Sequence, residues 1–167
     1  MYSMDVKAKY YIDKLKLISH PEGGYYREIY RSGEYINLEG LPKRYKCKRV
    51  FSTSIYFLLQ GKQVSKFHRL KSDEVWHFYD GSQVIIYLLN NNMERIIMGK
   101  DIAEGNKFQF TVEKNNWFAA ELINKKSFAL LGCSVSPGFD FNDFELAEKK
   151  YLLKKYSQHE AVINRLT

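Results

Sequence analysis

Apolar side chains recur at Ala8, Tyr11, Leu15 and Ile18 among lysines, a spacing that puts them on one stripe of an N-terminal helix over about residues 5–19. His20-Pro21 ends that helix, because the proline ring disfavours helical geometry in the residue before it, and Gly23-Gly24 turns the chain. From residue 25 to about 136 the pattern changes to short segments rich in aromatic and β-branched residues: 25–31, 50–59, 63–70, 74–79, 83–89, 95–99, 108–112, 117–123 and 128–135. Turn signals separate them at Gln60-Gly61, Asp80-Gly81, Asn90-Asn91-Asn92, Glu104-Gly105-Asn106 and Asn115-Asn116. No helix long enough for a parallel crossover falls between them, so the expectation is an antiparallel sandwich or barrel. Alternation along residues 74–79 puts Glu74, Trp76 and Phe78 on one face and His77 on the other. Asn142 with Glu145, and again Ser157 with Glu160, has the spacing of a capping box, which predicts helices over about 143–166. The whole chain, 1–167, reads as a single domain.

Composition agrees with a packed β domain. Thirteen Tyr, eleven Phe and two Trp in 167 residues exclude a disordered chain, and a domain of this size buries roughly 70% of its unfolded surface without disulfide staples. Cys47 and Cys133 are the only cysteines, as expected of two reduced thiols in the cytoplasm. The longest apolar run, residues 84–89, is far shorter than the roughly 18 residues of a spanning helix. Lys7, Lys9, Lys14 and Lys16 interrupt the first twenty residues, which have no apolar core of an export signal. A cytoplasmic protein with no membrane partner follows as the expectation. The net charge of +7 raises the question of nucleic acid, with its densest basic stretch at residues 43–49. No zinc-ligand spacing or RNA-binding aromatic motif accompanies it, so no nucleic-acid partner is expected.

The centre of the chain carries the chemistry. Gly61, His68, Glu74 and Gly81 are spaced like the first motif of the cupin superfamily, in which two histidines one residue apart and a glutamate precede a turn glycine; Leu70 stands at the second histidine position. The segments 20–28 (HPEGGYYRE), 53–59 (TSIYFLL), 73–78 (DEVWHF) and 136–141 (SPGFDF) resemble signature segments of small single-domain cupins of unassigned function, related in shape to nucleotide-sugar epimerases. The resemblance runs in order from about Leu15 to Leu166. It implies a double-stranded β-helix, or jelly roll, with a small-molecule pocket inside the barrel, and a homodimer that pairs or exchanges N-terminal strands.

His68 and Glu74 are the candidate catalytic pair, with His68 as acid–base because its unperturbed pKa lies near neutrality and Glu74 or Asp73 orienting it. The competing view makes His68 a hydrogen-bonded barrel residue. By resemblance, His68 and Glu74 are also the remnant of a site for a divalent transition metal, with His77 completing it if a β-bulge re-aims that side chain and His20 or Cys133 more distant in sequence. Phe118 stands where the second motif would supply a histidine.

Candidate ligand-binding residues surround this pair. Arg27 has the fork to bind an anionic group, with Glu22, Tyr26 or Glu28 reading hydroxyls. Tyr56, Trp76, His77, Tyr87 and Trp117 offer rings for a sugar or base, or simply fill a β core. Asp140 either adds a carboxylate or stabilises a turn, and Cys133 reads as an inert core thiol. The function expected is an epimerase or isomerase acting on a carbohydrate-like or nucleotide-sugar-like substrate. The alternatives are a non-catalytic ligand-binding protein and a metal-dependent cupin oxygenase or isomerase.

Overall fold

The computed structural model describes residues 5–90 and 92–167; Asn91, in the predicted turn at 90–92, lies outside them. Asp5 caps α1 (Val6–Leu15), its carboxylate accepting the amides of Lys7 and Ala8 at 2.8 and 3.2 Å. The helix is shorter than the predicted 5–19. Lys16 turns left-handed at φ 52°, the Leu17 amide returns to the Ile12 carbonyl, and Ile18–Ser19 leaves as β1. Burial of Leu17 and pairing of β1 at a sheet edge replace the last helical turn.

The predicted segment 50–59 divides into β4 (Arg49–Val50) and β5 (Thr53–Gln60), and an unpredicted β3 (Tyr35–Ile36) pairs with β4. The other predicted strands form with small shifts at their ends: β2 (Tyr25–Arg31), β6 (Val64–Leu70), β7 (Asp73–Gly81), β8 (Val84–Leu89), β9 (Met93–Met98), β10 (Gln109–Val112), β11 (Trp117–Leu122) and β12 (Phe128–Ser136). A six-stranded sheet runs β1-β2-β5-β12-β7-β10. A five-stranded sheet adds β13 (Phe144–Leu146) in the order β13-β6-β11-β8-β9. Every pairing between these strands is antiparallel, and the two sheets face each other as a jelly roll.

Between the sheets, one end is apolar and the other is not. Phe57, Leu59, Trp76, Phe78, Phe118, Leu122 and Leu131 fill the first end. At the second, the start of β5, the end of β12, the start of β7 and the end of β6 turn Thr53, Val135, Glu74 and Leu70 toward a cavity of about 380 Å³. Helix α1 covers the outer face of the larger sheet through Ala8, which packs with Leu58, Phe128 and Leu130.

The C-terminal segment departs from its prediction. Asn142 and Glu145 open no helix: 141–143 is a single 3-10 turn and β13 follows, pairing Phe144 with Leu70 and Leu146 with His68. The capping signature loses to tertiary contacts. Asp143 is drawn into a buried ion pair with Arg49, and Glu145 bonds Arg69 at 2.9 Å instead of reaching back to Asn142. Helix α2 (Lys149–Lys155) starts later, and Ser157 begins a 3-10 turn that leads into α3 (Glu160–Arg165). Leu152, Tyr156, Ile163 and Leu166 from this region cover Phe67, Tyr87 and Trp117 on the outer face of the smaller sheet. No helix among the described residues is long and apolar enough to cross a membrane.

Candidate functional site

The HPEGG segment builds one wall. His20 and Gly24 close the turn between β1 and β2 through a 3.1 Å backbone bond, with Gly23 at φ 111°. A Cβ on Gly23 would sit 2.1 Å from the Val64 carbonyl oxygen, so only glycine lets the turn press against β6. The Lys66 amide bonds the Glu22 carbonyl there, and the Glu22 side chain enters the barrel.

Inside, Glu22 Oε1 accepts the Ser65 hydroxyl at 2.7 Å, and Oε2 lies 3.2 Å from His68 Nε2 and 3.6 Å from His20 Nδ1. His68 Nδ1–H donates to the Lys66 carbonyl at 2.7 Å, which fixes the ring orientation. The ring packs on Phe118, its cross-strand neighbour, at a centroid distance of 4.1 Å. Glu74 reaches the same space from β7. Its Oε2 accepts the Trp76 indole N–H at 2.8 Å, and the Cys133 thiol lies beside it.

Burial dominates the electrostatics. It raises the Glu22 carboxyl against the opposing pull of His20 and Ser65. It raises Glu74 from 4.5 to about 7, with the charge of Glu22 adding to the rise and His68 and Trp76 working against it. Both His68 and His20 are lowered by the same desolvation. The Cys133 thiol is pushed well up. Two carboxyls raised and two imidazoles lowered by the same burial thus share one space.

This has a stability consequence for Glu74. Between 4.5 and about 7 the native carboxyl binds a proton that the unfolded chain has released, so its contribution to stability falls as pH rises through that window. Glu74→Gln, which cannot ionise, should gain on the wild type across this range, by up to about 3 kcal/mol above pH 7. Urea unfolding of both proteins at pH 5 and pH 8 measures it; a difference independent of pH would contradict the raised carboxyl.

Of the residues singled out in the sequence, Glu22, Tyr26, Glu28, His68, Glu74 and Asp140 line the cavity together. Trp76 is in the core behind it and acts through its bond to Glu74. The others lie elsewhere. Arg27 points outward and bonds the Leu15 carbonyl at the end of α1. Tyr56 packs under α1 and against Tyr79 on the outer face. His77 is on that face as well, accepting from Gln109 and bonded to Ser134. Tyr87 donates to Glu121 beneath α3, and Trp117 lies under the Arg69 guanidinium. Both belong to the outer layer because helices cover that side of the sheet. Asp73 is exposed and accepts the Lys114 amide, so Glu22, not Asp73, faces the ring of His68.

His20, distant in sequence, also lines the cavity, as do Arg31 and the Phe139, Phe141, Phe144 wall, which the sequence did not single out; Cys133 reaches the lining from the core, where burial keeps its thiol protonated. For Arg31 the reason is a bulge between Glu28 and Tyr30, which shifts the inward face by one residue. Its guanidinium forks onto Glu28 at 2.9 and 2.7 Å at the cavity mouth.

A family model described as "Cupin superfamily (DUF985)" matches residues 9–147. The chain belongs to the cupin superfamily. This cupin is 30% identical to the uncharacterized protein YML079W of Saccharomyces cerevisiae over 144 residues, 79% of this chain and 71% of that protein. Among solved structures, protein SO0799 of Shewanella oneidensis is 40% identical, with a TM-score of 0.86 over 96% of both chains. A hypothetical protein from Leishmania major is 32% identical, with the same TM-score over 96% of this chain and 98% of that one. Oxalate decarboxylase of Bacillus subtilis shares the fold alone, at 12% identity and a TM-score of 0.53 over 89% of this chain and 37% of that one.

The donor set of this cupin does not suit the divalent metal that the motif implies. His77 is on the outer face, His68 Nε2 is directed at Glu22, and Leu70 and Phe118 hold the other positions. Among the described residues no three His, Cys, Asp or Glu side chains converge as metal ligands.

Proposed function

We propose that this cupin is an isomerase or epimerase that moves a proton beside the carbonyl of a compact, carbohydrate-like substrate. The observation that carries this reading is the 3.2 Å contact between His68 Nε2 and Glu22 Oε2. Because His68 Nδ1 already donates to a carbonyl, the contact is a hydrogen bond only if one proton lies between the two groups, as Glu–OH to imidazole or imidazolium to carboxylate. With that proton between them, the pair is an acid.

Glu74 is its complement. Burial holds its carboxyl at about 7, half ionised at neutral pH, where a general base is most effective. A cavity of about 380 Å³ is near the lower end of the roughly 300–1,000 Å³ typical of small-molecule sites. It suits a sugar-sized group, with any nucleotide or other appendage of the nucleotide-sugar kind lying beyond the mouth at Arg31. The open edge of β2, where Ile29 and Tyr30 are exposed, supports pairing of two copies through their N-terminal strands.

Incubating the protein in D2O with a panel of aldoses, ketoses and nucleotide sugars, and following the proton α to the carbonyl by NMR, tests the reading. Enzyme-dependent deuterium uptake at one carbon of one class is expected. A ligand that binds, by saturation transfer, without any exchange would identify a binding protein instead.

A further inference from the structure

Among the described residues, His20 Nε2 has no hydrogen-bond partner at this cavity. His68 uses both ring nitrogens, Nδ1 on the Lys66 carbonyl and Nε2 on Glu22. In His20, Nδ1 accepts the Glu22 amide at 3.3 Å and so carries no proton; the neutral ring that burial favours has its hydrogen on Nε2. No described residue accepts from that Nε2–H, although the side chain is only 7% exposed and lines the cavity. The ring is held edge-on to Tyr26 at 4.5 Å and 89°, with Phe57 and Phe144 at 6.1 and 6.2 Å. A ring N–H that opens on a cavity with no protein acceptor is free to donate to the oxygen of a ligand.

We propose that His20 Nε2–H receives the carbonyl oxygen of the substrate, and that the substrate class is an α-hydroxy carbonyl compound. The inference rests on the proton-transfer reading and adds the group that stabilises the oxyanion. When Glu74 takes the α-proton, the C–H electron pair becomes the carbon–carbon double bond of an enediolate. The carbonyl π pair moves onto oxygen, and His20 keeps its proton while its hydrogen bond tightens on the new charge. A neutral imidazole suits this role because its N–H can donate without first giving the proton away. The Glu22 amide is what holds the ring in the donating tautomer, so the same residue that pairs with His68 also orients His20.

The test uses protein with ¹⁵N-labelled imidazoles and acetohydroxamate, a planar mimic of an enediolate. At pH 7 the free protein should show His20 neutral, with Nε2 protonated and Nδ1 bare. Saturation with acetohydroxamate should move its Nε2 resonance. His20→Phe, which keeps a ring against Tyr26, should weaken acetohydroxamate about tenfold or more, and His20→Gln should restore part of the loss.

A cationic or Nδ1-protonated His20 in the free protein overturns the proposal without any variant. So does saturating acetohydroxamate that leaves His20 unmoved, unimpaired binding by His20→Phe, or no binding at all. Deuterium exchange by the wild type decides the proton-transfer reading separately, so the oxyanion role can fail while that reading stands.

Discussion

Asp143→Ala should lower the unfolding free energy of this cupin by about 3–5 kcal/mol, the largest stability loss expected from any one side chain discussed above. Arg49 and Asp143 are both almost fully buried and meet fork to fork at 2.6 and 2.7 Å. The remaining Arg49 donor, Nη1, is satisfied by the carbonyls of Cys47 and Lys48. Removing the carboxylate leaves a guanidinium out of water with its strongest acceptor gone, and Arg49 cannot shed its proton to escape the cost. Lys71, 3.4 Å from Asp143, loses a partner as well but is part-exposed and can turn to solvent. At roughly 2–4 °C per kcal/mol for a chain of this size, the melting temperature should fall by about 6–20 °C. The double variant Arg49→Met, Asp143→Leu should recover most of the loss, since well-packed apolar side chains replace a buried pair at little net cost. Thermal and urea unfolding of the two variants checks both statements; a loss under 1 kcal/mol in Asp143→Ala would mean that water reaches the pair.

The effect is not confined to stability. Asp143 closes the turn that sets Phe139, Phe141 and Phe144 along the cavity, and Phe144 packs on both His20 and His68. The basic stretch at 43–49, which raised the question of nucleic acid, thus contains a residue that holds the wall of the site in place. Nothing local in the sequence distinguishes Arg49 from Lys43, Arg44, Lys46 and Lys48. Its partner lies 94 residues away, and only the packed sheets bring them together.

The same contrast explains which parts of the site could be seen in advance. Period-two alternation placed Glu74 inward with Trp76 and turned His77 outward, because β7 keeps an unbroken register with β10 along those residues. Tyr26 and Glu28 follow the same rule on β2 up to the bulge that hides Arg31. Tyr87 and Trp117 escape it because β8 and β11 are buried on both faces, so an aromatic residue there says nothing about which side it serves. His20 and Glu22 sit in a turn, where no period exists. Their position follows from Gly23 pressing on the Val64 backbone, a contact between residues 41 apart. The motif itself was visible at His68 and Glu74; the partner that gives His68 its chemistry was not.

Glu22→Gln should reduce the rate of α-proton exchange by about 10²–10⁴-fold, the range of a general acid–base group. The amide can still bond His68 Nε2 and the Ser65 hydroxyl, so the fold of the site persists, but the pair no longer has a proton to give. Glu74→Gln should lose a similar factor by removing the acceptor of the substrate proton. Because the two groups act in one transfer, the double variant should be little worse than the poorer single one. The pH profiles separate the roles. In the wild type the rate should climb with pH through about 7 as Glu74 ionises, then fall when the His68–Glu22 pair surrenders its proton. Residual exchange in Glu22→Gln should keep the rising limb and lose the falling one; Glu74→Gln should lose the rising limb. If Glu22→Gln retained the wild-type rate and both limbs, the 3.2 Å contact would be a structural hydrogen bond and His68 a barrel residue like its neighbours. Loss of the rising limb in Glu22→Gln, with Glu74→Gln unaffected, would instead make Glu22 the base and Glu74 only its buried companion.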